Sequence, residues 1–130
     1  MLIENPHWLV RTVLPGLLWK VETERKVIYL TFDDGPIPEV TPWVLQQLNK
    51  YSAKASFFCV GENVKKHPEV FAAVVAAGHT VGNHTYNHIV GTRCDLEPYL
   101  ENISEAQNLI QTPYFRPPHG LMSLKQYFVV

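Results

Sequence analysis

The sequence predicts an α/β protein built on a parallel sheet with helices packed outside it. Three observations carry this. Short apolar runs rich in β-branched and aromatic residues alternate along the chain with longer segments of helical periodicity. Each gap between successive strand runs can hold the crossover helix that parallel neighbours need. No internal repeat, low-complexity tract or linker interrupts the 130 residues, which is the size of one ordinary domain.

The first strand is KVIYLTF, residues 26–32, a continuous apolar run of the kind buried parallel strands use. EVTPWVLQQLNKY follows as a helix: Thr41 suits the N-cap, Pro42 the first helical position, and Val44, Leu45 and Leu48 form one apolar stripe. KASFFCV, residues 54–60, is the second strand, with Cys59 a buried thiol. HPEVFAAVVAAG is the second helix, with Pro68 near its start, Gly78 as the residue after the C-cap, and Val70, Val74 and Val75 facing the core. HTVGN, residues 79–83, is a short third strand. DLEPYLENISEAQNLI is the third helix, capped by Asp95, with Leu96, Leu100, Ile103 and Ile110 on one face. YFR, residues 114–116, reads as a fourth strand, and SLKQYFVV opens another helix capped by Ser123.

Composition narrows the function classes. A net charge of -1 argues against a nucleic-acid partner, and 46% hydrophobic residues suffice for a core. Two cysteines, Cys59 and Cys94, are too few for a disulfide scaffold. The apolar start of the chain carries Glu4, Arg11 and Pro15 and lacks a small-residue cleavage site, so it is unlike a signal peptide. No stretch reaches the roughly 20 apolar residues a membrane span needs. Residues 1–25 are expected as a segment packed on the domain formed by residues 26–130, with a membrane-surface anchor the lesser option. The compartment stays open, cytoplasmic by default in the absence of an export signal.

Sites in parallel α/β proteins lie where strands hand over to loops at their C-terminal ends. Three polar clusters fall there: TFDDGP at residues 31–36, HTYNH at 84–88 and RPPHG at 116–120. Asp33 and Asp34 suit a β-turn, but adjacent carboxylates at a buried strand end repel, and a bound cation relieves that. His84 and His88 share a face if residues 84–88 make one helical turn. With Asp34 as third ligand, two imidazoles and a carboxylate suit zinc or another divalent transition metal; a solvated surface pair is the alternative. Arg116 stands before two consecutive prolines that stiffen its loop, and Gly120 lets the backbone turn; such a loop can orient a carboxylate and present an oxyanion donor. His7 and His67 read as exposed, His79 as structural, and the His119 side chain stays open.

The three motifs, in this order, resemble the polysaccharide deacetylase family, also called the NodB-homology or carbohydrate esterase family 4 domain. KASFFCVG and GHTVGNH are similar to the family's connecting segments, and the resemblance runs over roughly residues 26–123. It implies a distorted (β/α) barrel, of which about four βα units fit here, and removal of acetyl groups from sugars such as chitin oligomers, peptidoglycan or xylan. Residue by residue it implies Asp33 as general base, Asp34, His84 and His88 as metal ligands, Arg116 as the group orienting Asp33, the backbone N–H of His119 as oxyanion donor, and Pro118 and Gly120 in substrate binding. Thr85 would steady the loop between the histidines. The cofactor expected is a divalent metal, zinc first.

The family carries two later motifs, one with Asp and Trp and one with the histidine that protonates the leaving amine; Val130 precedes both. The resemblance therefore covers the N-terminal part of such a domain, the metal half of the site without its acid half. The expectation is a metal-dependent deacetylase acting on acetylated oligo- or polysaccharide. The alternative is a catalytically impaired fragment, or a metal-bearing carbohydrate-binding module. An unpaired barrel edge is further expected to favour self-association. An amidohydrolase-type site would want His-x-His at the first strand, where Asp-Asp stands instead.

Overall fold

Ala55, Phe57 and Cys59 point to one side of their strand and are buried, while Ser56 and Phe58 point to the other and are half-exposed. That alternation marks the middle of the sheet. The computed structural model describes residues 8–130, with side chains from residue 11 onward. Three parallel strands lie in the order β1-β2-β3: β1 is Leu30–Asp33, β2 Ala55–Cys59 and β3 Thr80–Asn83. The register sets Asp33 opposite Phe58, and Cys59 opposite Asn83, so the C-terminal ends of all three strands come out level.

The helices are α1 (Trp8–Val13), α2 (Thr41–Lys50), α3 (Gly61–Lys66), α4 (Pro68–Ala76), α5 (Leu96–Ile110) and α6 (Leu124–Tyr127). Val44 and Leu48 of α2, Val64 of α3, Val74 of α4 and Ala106 and Ile110 of α5 close over Ala55, Phe57 and Cys59 to form the core. Phe32 stacks on Phe57 with ring centroids 5.1 Å apart. Gly78 follows the end of α4 at φ +71°, the left-handed position where a glycine carries no Cβ penalty. Ser123 and Gln126 form a reciprocal capping box on α6, and the buried Gln126 amide also donates to the Gly91 and Cys94 carbonyls at 2.9 and 3.1 Å.

Several expectations are corrected. The first strand begins at Leu30, and it is not buried: Ile28 and Tyr29 are 84% and 59% exposed. Among the described residues β1 pairs with β2 alone, so its apolar residues have a neighbour on one side only. The fourth strand shrinks to one bridge, Asn83 to Phe115, because Pro113 and Pro117 flank it and neither has an N–H to extend a ladder. Val40, not Thr41, precedes the first turn of α2; the Thr41 hydroxyl instead accepts the Ile37 N–H at 2.9 Å. Asp95 makes no side-chain cap bond. Val75 is exposed, whereas the fully buried contacts of α5 come from Tyr99 and Ala106. His67 is half-buried at the α3–α4 junction, and His7 lies outside the described residues. Residues 20–30 are exposed throughout, and the Gly16 N–H donates to the Tyr127 hydroxyl at 2.9 Å. Among the described residues no helix is long and apolar enough to cross a membrane.

Candidate active site

The level strand ends place the three polar clusters side by side. Asp33 closes β1 and Asp34 follows at φ +68°, a left-handed conformation; the Asp33 carboxylate meets Arg116 and that of Asp34 meets the two histidines. The His84 N–H donates to the Cys59 carbonyl at 2.9 Å, carrying the β3 chain onward past the end of β2. Arg116 enters from the Phe115 bridge: its N–H donates to the Asn83 carbonyl at 3.0 Å.

Asp34 Oδ1 lies 3.0 Å from His88 Nε2 and 3.5 Å from His84 Nε2. One ligating atom from each of the three residues falls within 4.8 Å of the others. Ligands about 2 Å from a common tetrahedral ion sit roughly 3.3 Å apart, so small side-chain movements bring this set onto one ion. His84 is 2% exposed, and its Nδ1 lies 2.7 Å from the Arg116 carbonyl. A carbonyl only accepts, so Nδ1 carries the proton and Nε2 presents its lone pair toward Asp34. Burial pushes the His84 imidazole below the usual histidine range; the Arg116 carbonyl and the Asp33 and Asp34 carboxylates oppose that shift. The neutral ring this favours is the ligating form. The donor set, the tautomer and the hydrogen bond behind His84 all fit a divalent metal.

Beside this set, Arg116 Nη1 donates to Asp33 Oδ1 at 2.6 Å and to the Thr31 hydroxyl at 3.1 Å. The guanidinium carbon sits 3.9 Å from the centroid of the Phe58 ring, which supports it from below. A Cβ at position 82 would collide with that ring, so Gly82 is the residue that lets Phe58 lie across β3.

Residues 84–88 do not form the helical turn expected of them. They make a loop in which Thr85 and His88 take positive φ, 65° and 60°, and both imidazoles face Asp34 by that route. Thr85 is fully buried; its N–H donates to Asn83 Oδ1 at 2.9 Å and its carbonyl accepts the Gly61 N–H at 3.0 Å. Four of the six non-glycine residues with positive φ among those described are Asp34, Thr85, His88 and His119, so unfavourable backbone collects at this site. The ring of His119 meets that of His88 edge-on at 5.0 Å and is exposed. Gly120 is exposed at φ +69°, but the Pro118 ring is buried and offers no free face to a ligand. His79 is placed elsewhere: its Nδ1 accepts the Ala55 N–H at 3.3 Å, at the N-terminal ends of β2 and β3 and away from the three clusters.

Sequence reasoning missed the supports of the site. Asn63 on α3 donates to the Asp34 carbonyl at 2.7 Å. Asn102 on α5 accepts the Tyr86 and Asn87 N–H groups at 2.8 and 3.3 Å. Asn83 donates to the Ile103 carbonyl at 3.0 Å. Only Asn83 adjoined a motif; a polar residue on a helix surface carries no mark of the loop it will hold.

Compared with known proteins, the family model described as polysaccharide deacetylase matches residues 20–126. The chain belongs to this family. A peptidoglycan-N-acetylglucosamine deacetylase of Bacillus cereus is 37% identical over 110 residues, covering 81% of this chain and 52% of the relative. A chitooligosaccharide deacetylase of Rhizobium leguminosarum bv. trifolii is 45% identical over 88 residues, covering 68% of this chain and 41% of the relative. The chain thus spans about half the length of these curated relatives. The structure of the peptidoglycan deacetylase PdaC from Bacillus subtilis superposes with a TM-score of 0.74 at 37% identity, over 82% of this chain and 55% of that one. The family 4 carbohydrate esterase from Streptomyces lividans in complex with acetate gives 0.73 at 31% identity, over 78% of this chain and 56% of that one. The three-stranded sheet and its helices therefore correspond to part of the family's (β/α) barrel.

Proposed function

We propose that this chain carries the metal-binding and general-base part of a deacetylase acting on N-acetylated amino sugars of the peptidoglycan or chitooligosaccharide type. One observation supports this most: the Arg116–Asp33 pair stands beside the Asp34, His84 and His88 set in a member of this family. The substrate class follows the relatives named above.

Asp34, His84 and His88 would hold a divalent ion, zinc first by donor type, and that ion when bound supplies Lewis-acid polarisation to the acetyl group. Arg116 occupies Asp33 Oδ1, leaving the other carboxylate oxygen to take a proton from the attacking water. Water adds to the acetyl carbonyl carbon, and the His119 backbone N–H donates to the oxygen that becomes negative. The C–N bond then breaks, with the departing nitrogen receiving a proton, so acetate and the free amine are the products. Among the described residues of the site, Asp33, which holds the proton taken from the water, and the exposed His119 ring are the groups able to pass that proton.

A second reading is an impaired catalyst that binds acetylated sugar at the same residues without turnover. It is favoured by the exposed His119 ring, which the structure does not hold in a fixed hydrogen bond toward a leaving group. Acetate release from N-acetylated chito-oligomers and peptidoglycan fragments, with zinc and after chelation, separates the two. Zinc-dependent release lost in Asp33→Asn supports the deacetylase. Oligomer binding without release supports the second reading, and neither binding nor release overturns both.

A further inference from the structure

Two histidines that must meet one carboxylate are carried by a loop whose backbone is unfavourable at both ends. Thr85 at φ 65° and His88 at φ 60° bracket Tyr86 and Asn87. Residues with a Cβ hold such angles only where neighbouring structure over-determines them. Asn83 fixes the entry to the loop through the Thr85 N–H. The exit toward His88 is fixed from α5. Asn102 Oδ1 accepts the Tyr86 N–H at 2.8 Å and the Asn87 N–H at 3.3 Å, and Asn102 Nδ2 donates to Asn87 Oδ1 at 3.1 Å. The Tyr86 carbonyl accepts the Glu62 N–H at 2.8 Å, so α3 holds the same peptide from the other side.

We infer that Asn102 is a positioning residue for the metal centre: its side-chain amide clamps the Thr85–Tyr86 and Tyr86–Asn87 peptides and the Asn87 side chain, and thereby sets where His88 Nε2 stands relative to Asp34. The essential atom is the acceptor Oδ1, because two consecutive N–H groups converge on it and nothing else on α5 offers them an oxygen in the described contacts. A helix surface alone would be served as well by alanine, which favours helix more than asparagine does. The inference rests on the metal-site reading of Asp34, His84 and His88.

The test is a cobalt titration of the 130-residue chain followed by visible absorption, with zinc affinity read by competition. The variants are Asn102→Ala, Asn102→Leu and Asn102→Asp. Aspartate keeps the acceptor, and the Asn87 amide can turn its Nδ2 toward the carboxylate. Circular dichroism of each metal-free variant reports whether α5 is retained. Loss of the outer contacts that orient a metal ligand typically weakens metal binding about 10–100-fold; Asn102 acts through the loop and not on the ligand ring itself, so a loss of about 10-fold is expected in Asn102→Ala and Asn102→Leu. Asn102→Asp is expected to bind within about threefold of the wild type, a rescue that a merely helix-stabilising role would not produce. If one of the two truncating variants does not fold, the other decides. Unchanged affinity in a folded Asn102→Ala or Asn102→Leu chain, or equal losses in these and Asn102→Asp, overturns the inference while leaving the metal site standing. A wild-type chain that binds neither cobalt nor zinc overturns the metal-site reading and this inference with it.

Discussion

Arg116 Nη1 lies 2.6 Å from Asp33 Oδ1, a contact between residues 83 positions apart in the chain, and the same arginine's carbonyl lies 2.7 Å from His84 Nδ1. One residue thus touches both halves of the proposed chemistry, by its side chain on one side and its backbone on the other. The two can be separated, because replacing the side chain leaves the carbonyl in place. Arg116→Ala is expected to lower acetate release by about 10²-fold or more while metal affinity changes much less. Arg116→Lys should recover only part of the rate, since an ammonium has no planar face to rest on the Phe58 ring and is not held in place by it. Equal losses of turnover and metal affinity would count against the division.

Removing a ligand should act differently. His84→Ala and His88→Ala are expected to weaken zinc or cobalt binding beyond the roughly 10–100-fold that loss of an outer partner costs. His84→Ala also opens a hole where a 2% exposed side chain stood, so its metal-free stability should fall. Half-exposed His88 has less to lose, and its variant should melt nearer the wild type. Calorimetric metal titration paired with metal-free thermal melting measures both.

His79 provides a pH dependence away from the site. Burial first, and the Lys54 charge second, hold its imidazole below 6.5. Its neutral Nδ1 accepts the Ala55 N–H, which a protonated ring cannot do. A folded pKa below the unfolded one means the unfolded chain binds the proton more readily. The stability contribution is therefore whole above pH 6.5 and is lost as pH falls from there through the lowered value. Urea unfolding at pH 7.5, 6 and 5, with a chelator present, should give a smaller pH slope for His79→Gln than for the wild type. An identical slope would be wrong for this assignment.

Burial pushes the Cys59 thiol up to about 12, and the residue is 1% exposed. Cys94 is half-buried. Thiolate is the reactive species, so iodoacetamide at pH 8 should label Cys94 and spare Cys59 in the folded chain. Mass spectrometry is expected to find one label under native conditions and two in denaturant. Rapid labelling of Cys59 in the folded chain would mean that the core opens easily.

Among the described residues β1 pairs on one side only; its first residue Leu30 is 41% exposed, and Ile28 and Tyr29 just before it are 84% and 59% exposed. Trp43 on α2 and Tyr51 just after it are exposed as well. A free apolar strand edge is a template for another chain. The isolated 130-residue chain is therefore expected to self-associate as its concentration rises, and Ile28→Lys with Leu30→Lys should shift it toward monomer. Sedimentation velocity measures both, and a monomer throughout would contradict the expectation.

What the sequence determined by itself was local or repeated in pattern. Pro42, Pro68 and Gly78 marked helix boundaries through their own backbone restrictions, and SFFC declared a strand by composition and alternation. Asp33, Asp34, His84, His88 and Arg116 were legible because strand-to-loop transitions in a parallel sheet all come out at one edge. Tertiary structure alone decided the rest. Whether KVIYLTF was buried depended on a neighbour for β1, which no residue in that run can specify. Val75, expected in the core, is exposed, and Tyr99, which the apolar stripe of its helix did not include, is fully buried, because burial depends on what packs opposite. The loop at residues 84–88 took positive φ instead of a helical turn because Asn83, Gly61 and Asn102, reaching it from three different elements, satisfy its backbone in that shape. Spacing of four residues brings two imidazoles together by either path, and the choice between them needs Gly61 and Asn102, contacts distant in sequence, as well as the adjacent Asn83.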